Sequence, residues 1–351
     1  MFRSTSHVRL HMLIDIGANS VAGGYVAHPV AGSPILCYGK RTHIVKRPEE
    51  TSEAAVERML ELIANALVRE GASAALRATG TSSIDDILVS IDAPWQTTSV
   101  RTERFQGDAP FTLTKDMAKE VLAQRRGNVP TSPEPGRAEP ADSAWKIEEH
   151  IVEIRLNGYQ TRDPYGKQAH RVAFVILTSS LSVPIADAVA GVLRRHFHHA
   201  HAAYVSGPSL RYQVLRAAFP HERDFLIIDA LEPGVAAVSL VRAGALTAVS
   251  ASERGLPDAS AWLESVKRIF RELAASYPLP HVALLVAGEA GAERAKQGLD
   301  SASLSLPWFA NKPLNIVPVS SNQFASIRVA SEAPQDIRLL LMSQYQNLSA
   351  H

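Results

Sequence analysis

The chain of 351 residues is 46% hydrophobic and 20% charged, so at roughly 150 residues per domain it holds two or three packed units and is no disordered tail. Its 36 lysines and arginines against 35 aspartates and glutamates leave a formal charge of +1, which supplies no global field for nucleic acid or an anionic membrane surface. The one cysteine, Cys37, excludes an internal disulfide and reads as a buried filler in a reducing cytoplasm.

Met12 to Ile16 forms an apolar strand that runs into Asp15-Ile16-Gly17-Ala18-Asn19-Ser20, and Val21 to Ala27 resumes after the turn. This pattern predicts a hairpin with a polar, glycine-bearing tip. Thr51 to Glu70 places Val56, Met59, Leu60, Ile63 and Leu67 at helical spacing, with Gly71 as the expected stop. A buried strand follows over Asp86 to Ile91.

Between Asp92 and Gln168 the texture changes to that of a small α+β insert. Trp95 to Phe105 alternates like an exposed strand, Thr114 caps a short helix over Lys115 to Gln124, and strands are expected over Ile147 to Leu156 and Arg171 to Thr178. Gly127 to Ser143 carries four prolines and almost no large apolar residue, so a loop is expected there. Ser182 to His196 then has helical spacing.

A second half opens at Asp224 to Asp229 and repeats the first. Phe225-Leu226-Ile227-Ile228-Asp229 leads through Glu232-Pro233-Gly234 into Val235 to Val241. One helix, Ala259 to Tyr277, leads to strand His281 to Val286 and the glycine turn Ala287-Gly288-Glu289-Ala290-Gly291, as in a layered α/β unit. At the C-terminus, Asp336 to Leu348 has apolar Ile337, Leu340, Leu341, Tyr345 and Leu348 and one basic residue, Arg338, which predicts a packed helix and no basic amphipathic anchor. The longest apolar run, around Val282 to Ala287, is far short of the roughly 20 residues that span a bilayer, so no crossing is expected.

Two acidic turns in duplicated halves resemble the actin-like ATPase superfamily, in which each half offers a hairpin aspartate to the phosphates of a nucleotide between them. Within it the chain most resembles FtsA-like proteins, with PilM-like ones as near relatives, and the insert is similar to the FtsA-type subdomain 1C, down to the turn Asp163-Pro164-Tyr165-Gly166-Lys167. The resemblance implies an α/β, ribonuclease H-like duplicated fold with a 1C α+β insert and a reduced second half. It divides the chain into subdomain 1A (residues 9–86, 172–204 and 320–348), the insert (87–171) and the second half (205–319).

By the same resemblance, ATP with Mg would be held by Asp15, Gly17, Asn19 and Ser20 of the first turn, Asp229 and Gly234 of the second, and Gly288 and Gly291 at the adenosine. Asp15 and Asp229 would orient the metal through water. The chemistry needs close backbone approach, N–H donors and a carboxylate on the metal's waters. The second turn departs from that need: Glu232 adds a negative charge, Pro233 deletes a donor and the family's hydroxyl residues are missing. The implied role is a cytoplasmic scaffold of a membrane-associated machine, in cell division or pilus assembly, with ATP binding weakened or lost. It would meet protein partners through the insert, reach the membrane only indirectly, self-associate weakly and bind no nucleic acid.

The alternative is a nucleotide-dependent enzyme, an ATPase or small-molecule kinase, for which Asp92 or Glu253 would supply the carboxylate. His196, His198, His199 and His201 sit beside Arg194 and Arg195 at a helix end, where positive charge suits the helix dipole better than it suits a metal site. No Gly-x-Ser-x-Gly, His-Glu-x-x-His or P-loop motif occurs.

Overall fold

The computed structural model describes residues 8–30, 32–123, 144–161, 163–198, 202–232, 234–252, 258–303, 306–309, 311–330 and 333–349. The expected loop at 127–143 and the residues Pro233, His199, His201 and Glu253 lie outside them.

In chain order the first half begins β1 (Arg9–Ile16), β2 (Ser20–His28), β3 (Ile35–His43), α1 (Ser52–Ala66), α2 (Ala72–Thr79) and β4 (Asp86–Ile91). The insert region follows as β5 (Gln96–Thr112), α3 (Lys115–Ala123), β6 (Ala144–Leu156), β7 (Tyr159–Gln160) and β8 (Gln168–Ser182). Then come α4 (Val183–Phe197), β9 (Ala203–Ser206), α5 (Gly207–Ala218), β10 (Phe225–Ala230), β11 (Ala237–Arg242), β12 (Ala245–Ala251) and α6 (Ala259–Ser276). The chain closes with β13 (Val282–Ala287), α7 (Glu289–Ser303), β14 (Asn315–Val319), β15 (Arg328–Val329) and α8 (Ile337–Ser349).

Three sheets result, ordered β15-β3-β2-β1-β4-β9, β12-β11-β10-β13-β14 and β5-β8-β6-β7. The first two share one plan. In each, an antiparallel three-strand meander is followed by two strands added in parallel on the far side of the first strand. The chain therefore has a duplicated α/β fold, and the third sheet is antiparallel, with α3 covering one face through Ala118 and Val121 beside Leu113 of the turn before it.

Strand parity orients the two acidic turns. On β1, Leu10, Met12, Ile14 and Ile16 pack toward α1 and α4, whereas Leu13 faces the opposite core, and Asp15 shares the parity of Leu13. On β10, Leu226 and Ile228 face α6, while Phe225 and Ile227 join the same core as Leu13. Asp229 has the parity of Phe225 and Ile227. That common core is completed by α5 and α8, whose Leu210, Val214, Leu215, Leu339, Leu340 and Leu341 fill the space between the two sheets.

Two local expectations are corrected. The helix does not stop at Gly71: a π turn over Leu67–Gly71 carries it into α2, and Gly80, at φ +78°, ends it. Gly71 serves packing, because a Cβ there would meet the Tyr25 ring at 2.7 Å. The sequence reading also passes over α5, although Ser206 caps it by accepting from the Ser209 N–H and Pro208 sits in its first turn. Cys37 is buried, which pushes its thiol up to about 11. No helix among the described residues is long and apolar enough to cross a membrane.

Candidate functional site

The ends of β1, β4 and β10 meet at a cleft between the halves, and charged side chains fill it. Asp15 and Asp229 stand one residue before the ends of their strands, both on the side of the common core, and Asp92 follows β4 directly, its N–H donating to the Ile16 carbonyl at 2.9 Å. Three guanidiniums from three elements converge on them: Arg41 from β3, Arg211 from α5 and Arg338 from the first turn of α8.

Arg338 is the junction. Its Nη1 lies 3.2 Å from Asp15 and 3.0 Å from Asp92, and its Nη2 lies 3.2 Å from Glu232 of the second half. Arg211 grips Asp92 at 2.7 Å and Asp229 at 3.0 Å. Arg41 binds Asp336 through Nε at 2.7 Å and Nη2 at 2.9 Å, and donates to Asp15 at 3.3 Å and to the Ser20 hydroxyl at 2.6 Å. Asp336 in turn accepts from the Arg338 and Leu339 N–H groups and so starts α8.

Glu232 closes the network over the first hairpin. Its carboxylate accepts from the Asn19 N–H at 2.9 Å and from the Ser20 hydroxyl. Gly17 makes this approach feasible, since a Cβ there would run into Arg338 Nη1 and would lie 2.5 Å from the Glu232 oxygen. Trp95 donates its indole N–H to the Gly17 carbonyl at 2.8 Å, which fixes the turn from the other side.

Five carboxylates thus face three guanidiniums in a buried space. Burial raises the pKa of Asp15 despite Arg338 and Arg41, and burial raises that of Asp229 despite Arg211. Burial also opposes ionisation of Asp92 and Asp336, but there the guanidiniums win, Arg211 and Arg338 for Asp92 and Arg41 for Asp336, and both are lowered. Arg338 itself is held well above its ordinary value because its carboxylate partners outweigh desolvation.

The signs are opposite. A carboxyl whose folded pKa is raised favours the folded state below its ordinary range and loses that contribution as pH rises through the folded value, whereas Asp92 and Asp336 contribute above the ordinary range and lose it as pH falls through theirs. Asp229→Asn is therefore expected to cost less than Asp92→Asn, because burial disfavours the ionised form of Asp229 whereas the guanidiniums hold Asp92 ionised, and Arg211 keeps Asp92. Urea unfolding at pH 5 and pH 8 checks this: the variant's loss of stability on going up in pH is smaller than the parent's, and a cost at pH 7 equal to that of Asp92→Asn would overturn the assignment.

The network walls off two cavities. One of 480 Å³ is lined by Asp92, Gln96, Thr98, Asp229, Ser250 and Ser252 among others. The other, of 270 Å³, is lined by Ser20, His43, Ala287, Gly288, Ser320 and Ser321 among others. Glu232 and Arg338 line both and form the partition.

Of the residues singled out in the sequence, Asp15, Gly17, Asn19, Ser20, Asp92, Asp229 and Glu232 come together in this network. Gly288 lines the smaller cavity, Gly234 takes φ +89° in the second turn, and Gly291 lies in α7 with its N–H on the Gly288 carbonyl. A side chain at Gly288 or Gly291 would meet nothing within 4 Å, so neither position requires glycine for space. His196 bonds Glu61 between α4 and α1, away from the cleft.

Arg41, Arg211 and Asp336 stand in no motif of the sequence, and Arg338 reads there only as the lone basic residue of a packed helix. The available signal was Asp336-Ile337-Arg338 opening an apolar helix and Arg211 standing among Pro208, Leu210 and Val214.

No family model matches the chain, and no curated protein matches it in sequence. Solved structures do. The chain is similar to one from the "PilM-PilN type IV pilus biogenesis complex", with TM-score 0.55, 14% identity, and coverage of 96% of this chain and 98% of that one. It is also similar to a protein of actin-like ATPase fold and unknown function from Bacteroides thetaiotaomicron VPI-5482, at TM-score 0.46 and 8% identity over 98% of both chains. A third is the cytoplasmic domain of EpsL, an inner membrane component of the type II secretion system of Vibrio cholerae, at TM-score 0.39 and 8% identity over 97% of this chain and 95% of that one. The chain has the actin-like ATPase fold.

Proposed function

We propose that this protein is a PilM-like adaptor of a membrane-associated machine, of pilus assembly before cell division, in which a buried ion network takes over the clamping of the two halves from nucleotide. The reading is supported by Arg338, which bridges Asp15 and Asp92 of the first half to Glu232 of the second. The likeness to the PilM–PilN structure over nearly the whole of both chains favours the pilus side. The segments 9–86, 172–204 and 320–348 act as subdomain 1A, 87–171 as a 1C insert that meets protein partners, and 205–319 as a second half whose 2B portion is reduced to about α6.

ATP with Mg does not suit the residues as they stand. The Asn19 N–H and Ser20 hydroxyl that would receive a phosphate already hold the Glu232 carboxylate, and Asp15 and Asp229 are turned to guanidiniums rather than toward a hydrated cation. Membrane contact is indirect, through the partner. Calorimetric titration with Mg-ATP is expected to give no heat at millimolar ligand. Micromolar binding that Asp15→Ala abolishes would overturn the nucleotide-independent clamp, and phosphotransfer to a small acceptor would replace the adaptor with an enzyme.

A further inference from the structure

We infer that Glu148, carried by the insert, is the positioning residue for Arg211: its carboxylate sets the start of α5 and thereby the grip of Arg211 on Asp92 and Asp229, a role that rests on the nucleotide-independent clamp and makes the insert its regulator. A β-bulge puts the side chain in place. β6 pairs Lys146 with Ser180 and Glu148 with Ser179, so Ile147 is the extra residue and Glu148 stands directly across from Ser179 of β8. There a single oxygen, Oε1, accepts from the Ser179 hydroxyl at 2.7 Å, the Ser206 hydroxyl at 2.5 Å and the Ser206 N–H at 3.2 Å.

Ser206 is the last residue of β9 and the cap of α5, where its Oγ accepts from the Ser209 N–H at 3.3 Å. Both serines that donate to Glu148 are fully buried. A hydroxyl that gives its proton to a carboxylate becomes a stronger acceptor, and a negative charge beside the first turn suits the helix dipole, so Glu148 strengthens the cap in two ways. Arg211 stands in the second turn of the helix so begun. A second route crosses the insert sheet. Ser179 lies opposite Thr98 of β5, with the hydroxyls 3.0 Å apart, and Thr98 donates to Gln96 at 2.8 Å. Gln96 and Thr98 line the larger cavity together with Arg211 and Asp229.

Glu148 also lines a separate cavity of 410 Å³ with Lys119 and Leu122 of α3. One side chain therefore joins the body of the insert to the root of Arg211. Drawing β6 away from β9 leaves the Ser206 N–H without this acceptor where water does not reach, which unseats the first turn of α5. Trp145, edge-on to Tyr204 at 4.9 Å, keeps the insert docked when the carboxylate alone is changed.

The test is Glu148→Gln in the full chain with isotope-labelled arginine, reading hydrogen exchange at the guanidinium groups by NMR. Exchange at Arg211 is expected to quicken about tenfold, while Arg41, held by Asp336 away from α5, keeps the parent's rate. Ser206→Ala is expected to act alike, and the two substitutions together to add little, because both loosen one cap. An Arg211 rate equal to the parent's, equal quickening at Arg41, or additive effects of the two substitutions overturns the positioning role.

If Glu148→Gln does not fold, the parent chain supplies an independent reading through the Ser206 amide, whose exchange is expected to be as slow as that of the α5 interior. A Ser206 amide exchanging like a solvated turn sinks the proposal. The two readings fail separately: Mg-ATP binding by the parent removes the nucleotide-independent clamp, and an unmoved Arg211 in Glu148→Gln removes the role of Glu148 alone.

Discussion

Arg338→Met is expected to lower the stability of the chain by about 3–5 kcal/mol in urea unfolding. Methionine is close to arginine in length and suits the apolar start of α8, so little packing is lost. What remains is Asp15, Asp92 and Glu232 buried around an uncharged side chain, each of them deprived of a guanidinium at 3.0–3.2 Å. A surface pair would cost a fraction of this, because water would re-solvate the stranded charges. Here the arginine side chain is 5% exposed and the three acids are 3%, 9% and 8% exposed, so re-solvation requires the cleft to open.

Arg338→Lys is expected to recover less than half of the loss, since one ammonium cannot present two nitrogens to three carboxylates. Combining Arg338→Met with Asp92→Asn recovers part of it by removing one stranded charge. If Arg338→Met unfolds within about 0.5 kcal/mol of the parent, the network does not hold the halves together.

Gly207→Ala is the second large effect, expected at about 3 kcal/mol, although alanine normally favours a helix over glycine. Gly207 opens α5 directly under the Asp92 carboxylate, and a Cβ at this position would overlap Asp92 Oδ1 and lie 2.9 Å from Arg211 Nη1. One methyl group therefore evicts the carboxylate that holds both Arg211 and Arg338. A double-mutant cycle separates this from general crowding: in an Asp92→Ala background the Gly207→Ala step is expected to cost under about 1 kcal/mol, and equal costs in the two backgrounds would refute the clash.

The duplicated plan was legible because it is written in local periods. Phe225 to Asp229 repeats the apolar strand and acidic end of Met12 to Asp15, and each run is short enough, and apolar enough on both faces, to read as a central strand. The negative charge of Glu232 in the second turn was legible too. The helix α5 was harder, since its buried face includes Ser209 and Arg211, which blur the apolar stripe. Gly71 misled for a related reason: a glycine demanded by the Tyr25 ring looks the same in sequence as a glycine that ends a helix.

By itself, then, the sequence determined the two acidic hairpins and the layered α/β class, because strand and turn patterns depend only on neighbours a few residues apart. Tertiary structure alone decided what those carboxylates touch. Arg338 reaches Asp15 across 323 positions of chain and Glu232 reaches Asn19 across 213, contacts that exist only once α5 and α8 are packed between the sheets. A charge declares its sign in the sequence, but its partner is fixed by whichever buried surface has no water left to satisfy it.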